Sequence, residues 1–258
     1  MKDILANVTA EKASTEEFFK HIHAHPELAF EESGTAKYIA EKLRAWGYEV
    51  VEGIGKTGVV ARMKVGDGSA SIGLRADTDA LPVEEAADLD YKSTVPGKSH
   101  MCGHDAHAAM LLGAAEYLAK NKNFNGTLNL VFQPAEEIMG GAVAMLKDGL
   151  LEQFPMDRIF GMHNMPSLPT GVLYLTEGPI MAAVDNWEIV LTGKGSHGSM
   201  PEKSIDPVVA GSALVMALQT IVSRNVAPMD AAVVSVGAFL AGDAGNVIPQ
   251  TATLRMST

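Results

Sequence analysis

Ser99-His100-Met101-Cys102-Gly103-His104-Asp105-Ala106-His107 runs straight into an apolar stretch from Ala108 to Leu118. That stretch reads as a helix, so the residues before it lie at a loop-to-helix junction. Cys102 is the only cysteine of the 258 residues. A thiol packed this close to imidazoles reads first as a metal site, with donors in the first turn and a buried face behind them. Cys102 acting as a nucleophile with His104 or His107 is a second reading. The spacing speaks against it, because residues two apart at a loop rarely form a nucleophile–base pair.

Upstream, Tyr48–Val51, Gly58–Met63 and Ser71–Ala76 read as strands separated by glycine-rich turns. The third leads into Arg75-Ala76-Asp77-Thr78-Asp79-Ala80-Leu81-Pro82. Aspartates just past a strand's C-terminal end lie where open α/β sheets hold ligands. Downstream, the strand Thr127–Phe132 enters Gln133-Pro134-Ala135-Glu136-Glu137. Adjacent carboxylates raise one another's pKa, which suits a proton shuttle beside a metal ligand. A helix from Gly141 to Leu151 and a strand Arg158–Met162 follow, and the strand ends at His163-Asn164. This alternation predicts an α/β fold with a mostly parallel mixed sheet and helices on both faces. Asp79, Cys102 with His104, Glu136 with Glu137, and His163 come from four connections that such a sheet brings to one edge.

The ends of the chain read differently. Thr9 to Trp46 predicts helices with a turn between them, with Thr15-Glu16-Glu17 as an N-terminal cap. His21, His23 and His25 ahead of Pro26 read as a helix C-terminus rather than a metal cluster. Beyond Met181 the strands Trp187–Leu191, Ala232–Ala241 and Thr251–Met256 flank a helix Ile205–Arg224 entered at Asp206-Pro207. This pattern predicts a small α+β domain, giving a division into residues 1–180 and 181–258. Gly193-Lys194-Gly195-Ser196-His197-Gly198 lacks the strand–loop–helix context of a nucleotide loop. His197 there reads either as a hydrogen-bond donor to a ligand or as a plain surface turn.

Composition narrows the partners. A formal charge of −11 and a pI near 5.1 argue against nucleic acid and anionic membranes. A single cysteine excludes an internal disulfide framework and points to a reducing compartment. Met1-Lys2-Asp3-Ile4 does not open a signal peptide, and no stretch approaches the ~20 uninterrupted apolar residues of a membrane span. The expectation is a cytoplasmic protein without a membrane partner.

Taken together the motifs resemble a known family. They are His25-Pro26-Glu27-Leu28 with Glu31-Glu32, the segment Arg75–Pro82, His100–His107, Gln133–Glu137, Gly161–Asn164, the segment from His197 to Pro201, Asp206–Gly211, Gln219–Asn225 and Asn246–Pro249. In this order they are similar to the metal-dependent amidohydrolases that include hippurate hydrolase, N-acyl-amino-acid deacylases and auxin–amino-acid conjugate hydrolases. These are relatives of the dinuclear zinc exopeptidases. The resemblance implies hydrolysis of the amide bond of N-acyl amino acids with two divalent ions, zinc, manganese, cobalt or nickel. It implies Cys102, His104, Glu137 and His163 as metal ligands, with Cys102 able to bridge. Glu136 is implied as general acid/base and Asp79 as the aspartate that orients a ligand. His197 and Asn246 are implied as substrate-binding residues of a lid, and the lid as the contact of a homodimer. Members of the family run on well beyond the position of Thr258, with a last histidine ligand there. On that likeness the chain is the N-terminal portion of such an enzyme, with an incomplete lid. The alternative is an inactive fragment or pseudoenzyme acting as a dimerisation partner.

Overall fold

The computed structural model describes residues 2–258, which form two compact units dividing between Thr170 and Gly171. The boundary expected after residue 180 falls inside the second unit.

The first unit opens with three helices, α1 (Lys2–Ala10), α2 (Lys12–Ala24) and α3 (Ser33–Ala45). Then come β1 (Glu49–Ile54), β2 (Gly58–Val65), β3 (Ser71–Asp77), α4 (His104–Asn121) and β4 (Gly126–Gln133). Two short helices, α5 (Gly141–Lys147) and α6 (Leu150–Gln153), and the strand β5 (Arg158–Gly161) complete it. The strand order is β1-β2-β4-β3-β5. β2 pairs antiparallel with β1 and β4, and β3 pairs parallel with β4 and β5. The sheet is therefore mixed, and its parallel half contains the three strands whose C-terminal ends lead into the candidate residues.

Alternation along the strands builds two cores, because successive side chains point to opposite faces. Val59 and Ala61 of β2, with Leu128, Leu130 and Phe132 of β4, meet Phe18, Ile22, Ile39, Leu43 and Leu112 from α2, α3 and α4. Val60 and Val131 point the other way, onto Met145, Leu150 and Phe154. Helices thus cover both faces.

Three local expectations fail. Thr15 does not cap α2; it lies inside the helix, its hydroxyl 3.4 Å from the Glu11 carbonyl. A Cβ at Gly113 of α4 would run into that hydroxyl, so Thr15 serves close helix packing instead. The helix predicted over Gly141–Leu151 is broken at Gly149, whose φ of +82° ends the first segment and starts the second. Of the three N-terminal histidines, His25 behaves as expected, its Nδ1 2.7 Å from the His21 carbonyl at the end of α2. His23 does not: it is buried between Asp105 and Glu85.

The second unit holds β6 (Asn186–Thr192), β7 (Ser196–His197), α7 (Pro207–Asn225), β8 (Ser235–Leu240), β9 (Val247–Ile248) and β10 (Thr251–Ser257). β10 is central between β6 and β8, antiparallel to both, with α7 packed on β10 and β6. Asp206 caps α7 by accepting from the Val208 and Val209 amides, and Pro207 takes the first turn. β7 and β9 form a separate ribbon. One helix among the described residues is long and apolar enough to cross a membrane by length and composition, although polar residues interrupt it. It is α7, 19 residues long with few of them buried.

Candidate metal centre

Asp77 closes β3, and Thr78 and Asp79 follow it into the interior. Arg75 fixes this strand end against β4. Its Nε and Nη2 donate to Gln133 Oε1 at 3.0 and 2.8 Å, and its Nη1 donates to Asp77 Oδ2 at 2.8 Å. Burial opposes the Asp77 charge, but the His107 hydrogen bond, Arg75 and His104 outweigh it and bring the carboxyl down to about 2.

α4 begins at the motif histidine. Gly103 turns the chain into it with φ +85°, and a Cβ there would collide with the Asn164 amide. His104 and His107, three apart, share one helix face. The His104 ring is fully buried, with Nδ1 3.2 Å from Asp79 Oδ1. Nδ1 therefore carries a proton, which leaves Nε2 as the nitrogen able to ligate. Burial opposes the His104 charge, but Asp79, Asp77 and Glu137 outweigh it and raise its pKa above 6.5. That Nε2 has no partner and lies 3.7 Å from Glu137 Oε1, which is likewise buried and unpaired. Asp77 Oδ2 at 3.7 Å and Glu136 Oε2 at 3.8 Å complete the ring of acceptors around it.

Glu136 and Glu137 leave a tight turn beyond β4. Their backbone amides both donate to Asp79, at 3.0 Å to Oδ1 and Oδ2. Burial opposes ionisation of Asp79, but His104 and these two amides hold its carboxyl below the usual range. Burial raises Glu137, and the neighbouring charges of Glu136 and Asp79 add to the rise. Cys102 feels the same crowding: burial, then Glu137, Glu136 and Asp77, push its thiol up to about 12. A nucleophilic cysteine needs the opposite shift, so the geometry disfavours that reading.

His163 follows β5. Its Nδ1 donates to the Asn164 carbonyl at 2.7 Å, and its Nε2 lies 3.5 Å from Cys102 Sγ. Donor atoms of Cys102, His104 and His163 lie within 4.8 Å of one another, and so do those of His104, Glu136 and Glu137. A third such group, Asp77, His104 and His107, includes a ring already engaged on both sides. His107 Nδ1 donates to Asp77 Oδ1 at 2.6 Å, while Nε2 lies 2.8 Å from Asn164 Oδ1 and 3.0 Å from the Asn164 backbone nitrogen.

Softer and harder donors thus converge, with buried atoms on His104 and Glu137 that no side chain or backbone group partners. That donor set fits divalent metal ions. All six candidate residues of the first unit lie together here: Asp79, Cys102, His104, Glu136, Glu137 and His163. The sequence singled out His107 only as an imidazole near Cys102 and Asn164 only as the neighbour of His163; that the two support the centre through one another and Asp77 is visible only in the fold.

His197 and Asn246 lie in the second unit. His197 pairs with Val247 in the β7–β9 ribbon, and the Gly198 amide donates to the Asn246 carbonyl at 2.7 Å. The Ser199 amide approaches His197 Nδ1 at 3.2 Å. A backbone amide only donates, so Nδ1 accepts and Nε2 carries the proton.

Residues 73–254 match the peptidase family M20/M25/M40. Hippurate hydrolase of Campylobacter jejuni is 56% identical over 236 residues, 92% of this chain and 61% of that protein. N-acetyl-L-cysteine deacetylase of Bacillus subtilis is 43% identical over 236 residues, 91% of this chain and 56% of that protein. The chain thus spans well under two thirds of these relatives' length. A crystal structure of a dinuclear metal binding peptidase of family M20 from Bacillus subtilis is similar at 38% identity with a TM-score of 0.68, covering 98% of this chain and 64% of that one.

Proposed function

The chain belongs to peptidase family M20/M25/M40, and from that premise we propose that its buried donor cluster serves metal-dependent hydrolysis of the amide bond in N-acyl amino acids. The products are a carboxylate and a free amino acid, and hippurate-like and N-acetyl substrates fit the two relatives named above. The observation that carries this reading is the facing pair His104 Nε2 and Glu137 Oε1, both buried, both unpaired, 3.7 Å apart beside a cysteine thiol.

Cys102, His104, Glu137 and His163 would hold two divalent ions; zinc, manganese, cobalt and nickel all suit such a mixed set. When bound, the ions supply Lewis acidity and lower the pKa of water toward neutrality. Glu136, the more exposed of the paired glutamates, takes the proton from the attacking water and returns it to the leaving amine. Asp79 keeps the His104 lone pair aimed inward and holds both glutamate amides. On the family likeness His197, which has a donor to offer from Nε2, and Asn246 would be the substrate-binding residues.

The same reading makes the protein a homodimer through the second unit, since α7 exposes Val209, Met216 and Ile221. It places the protein in the cytoplasm, where a ligating thiol stays reduced, with small molecules rather than nucleic acid or membrane as partners. The dimerisation-partner alternative rests on the same exposed face of α7 and predicts a dimer without turnover.

Removal of metal by a chelator followed by assay on hippurate and N-acetyl amino acids tests the function. Loss of hydrolysis, restored by added zinc, manganese, cobalt or nickel, supports it. Hydrolysis untouched by complete metal removal refutes it.

A further inference from the structure

Glu32 is a fully buried carboxylate that the proposed chemistry leaves unused. It stands at the N-terminal boundary of α3, yet its side chain makes no cap there. Glu27 does that work, accepting from the Gly34 and Thr35 amides at 2.9 and 2.7 Å. Glu32 turns away instead. Its Oε1 accepts the Ala135 amide at 2.8 Å, and its Oε2 meets the Thr57 hydroxyl at 2.5 Å.

Ala135 is fully buried, and its φ of +48° is a left-handed conformation that a residue with a Cβ adopts only when its surroundings insist. It directly precedes Glu136 and Glu137. Three successive amides, 135, 136 and 137, are thus held by two buried carboxylates: Glu32 takes the first and Asp79 the other two. Asp79 comes from the end of β3 and Glu32 from the start of α3, 103 residues before Ala135. Rotation about the Ala135 backbone would swing both glutamate side chains out of the cluster.

We propose that Glu32 is a positioning residue for the paired glutamates: by holding the Ala135 amide in its left-handed turn, it sets the direction in which Glu136 and Glu137 leave the backbone. This rests on the hydrolase reading for its catalytic consequence, but not for its structural one. The action is one of reach rather than charge. Burial raises the Glu32 carboxyl above the ordinary range, so an uncharged acceptor of the same length does the same work.

Two variants separate reach from charge. E32D keeps the acid but shortens the side chain, so it loses the Ala135 amide. E32Q keeps an oxygen on that amide and turns its NH2 toward Thr57. Amide exchange over residues 135–137 is measured by NMR in the metal-free full chain, and kcat and KM are measured at saturating metal. E32D is expected to exchange about tenfold faster there, with amides in α4 unchanged, and to lose about tenfold in kcat at near-constant KM. E32Q is expected to restore both. Wild-type exchange at 135–137 in a folded E32D overturns the proposal, and so does an E32Q as impaired as E32D. If E32D does not fold, E32M replaces it, keeping the length of the side chain while removing the oxygen that accepts the Ala135 amide. Faster exchange at Ala135 in E32M than in E32Q then supports the proposal, and equal exchange overturns it. A wild-type chain without hydrolysis, yet with the E32D exchange effect, removes the hydrolase reading and leaves the positioning role standing.

Discussion

Asp79 Oδ1 lies 3.2 Å from His104 Nδ1, and the same oxygen receives the Glu136 amide at 3.0 Å. One carboxylate therefore decides which imidazole nitrogen is free and where the glutamate turn sits. Removing such a partner typically weakens metal affinity by about 10–100-fold. D79A is expected to show that loss in a competition titration with a chromogenic chelator, while far-UV circular dichroism stays at wild type. Unchanged affinity in D79A would show that the His104 tautomer does not depend on Asp79.

Gly103 couples the helix start to the His163 loop. A methyl group at this position meets both a positive φ and the Asn164 amide. G103A should lose about 1–3 kcal/mol of stability, from the left-handed backbone and the contact together. Its larger effect should be displacement of Asn164 from His107, and with it His163 from Cys102. The check is metal stoichiometry by mass spectrometry under native conditions, where G103A should hold less metal than wild type at equal added concentration.

Periodic features of this fold were legible in the sequence because they are local. Val59, Val60 and Ala61 alternate between two cores, and the apolar run after His107 is one helix, as the spacing says. Donors at strand and helix termini converge because a parallel sheet half places those termini on one edge. What was hidden was long-range. The partners of His23 lie 82 and 62 residues away, so three alternating histidines looked like a helix end. Thr15 looked like a cap because nothing nearby in sequence announces Gly113. His107 and Asn164 are 57 residues apart, and their bond exists only once β5 stands beside β3.

Cys102 discriminates between a ligand and a nucleophile. With the thiol pushed up to about 12 by burial and the carboxylates around it, the metal-free protein holds about a thousandfold fewer thiolates near neutral pH than an ordinary cysteine does. Iodoacetamide alkylation should be slow at pH 7 and still rising with pH beyond 10, followed by intact-mass measurement. Rapid stoichiometric alkylation at pH 7 in metal-free protein would revive the nucleophile reading.

His23 joins α2 to the start of α4 through charge. Its Nδ1 lies 2.6 Å from Asp105 Oδ2 and its Nε2 lies 3.2 Å from Glu85 Oε1, all three side chains being buried. Burial opposes protonation of His23, but the two carboxylates outweigh it and raise its pKa above 6.5. For Glu85, burial is likewise opposed, by the Ser93 amide and by His23, and its pKa falls below 4.5. A raised histidine contributes stability that is complete below its unfolded value and is lost as pH climbs through the folded value. A lowered carboxylate contributes stability present above its unfolded value and lost on acidification. The cluster therefore stabilises most between about pH 4.5 and 6.5, the two unfolded values, and weakens toward alkaline pH. Replacing His23 leaves two buried acids facing one another, a loss of about 3–5 kcal/mol for a broken buried pair. Thermal melts from pH 6 to 9 should show the wild-type midpoint falling with pH and that of H23Q lower and flatter. A wild-type midpoint that rises over this range would mean that His23 is neutral throughout, and that Asp105 and Glu85 are balanced by something else.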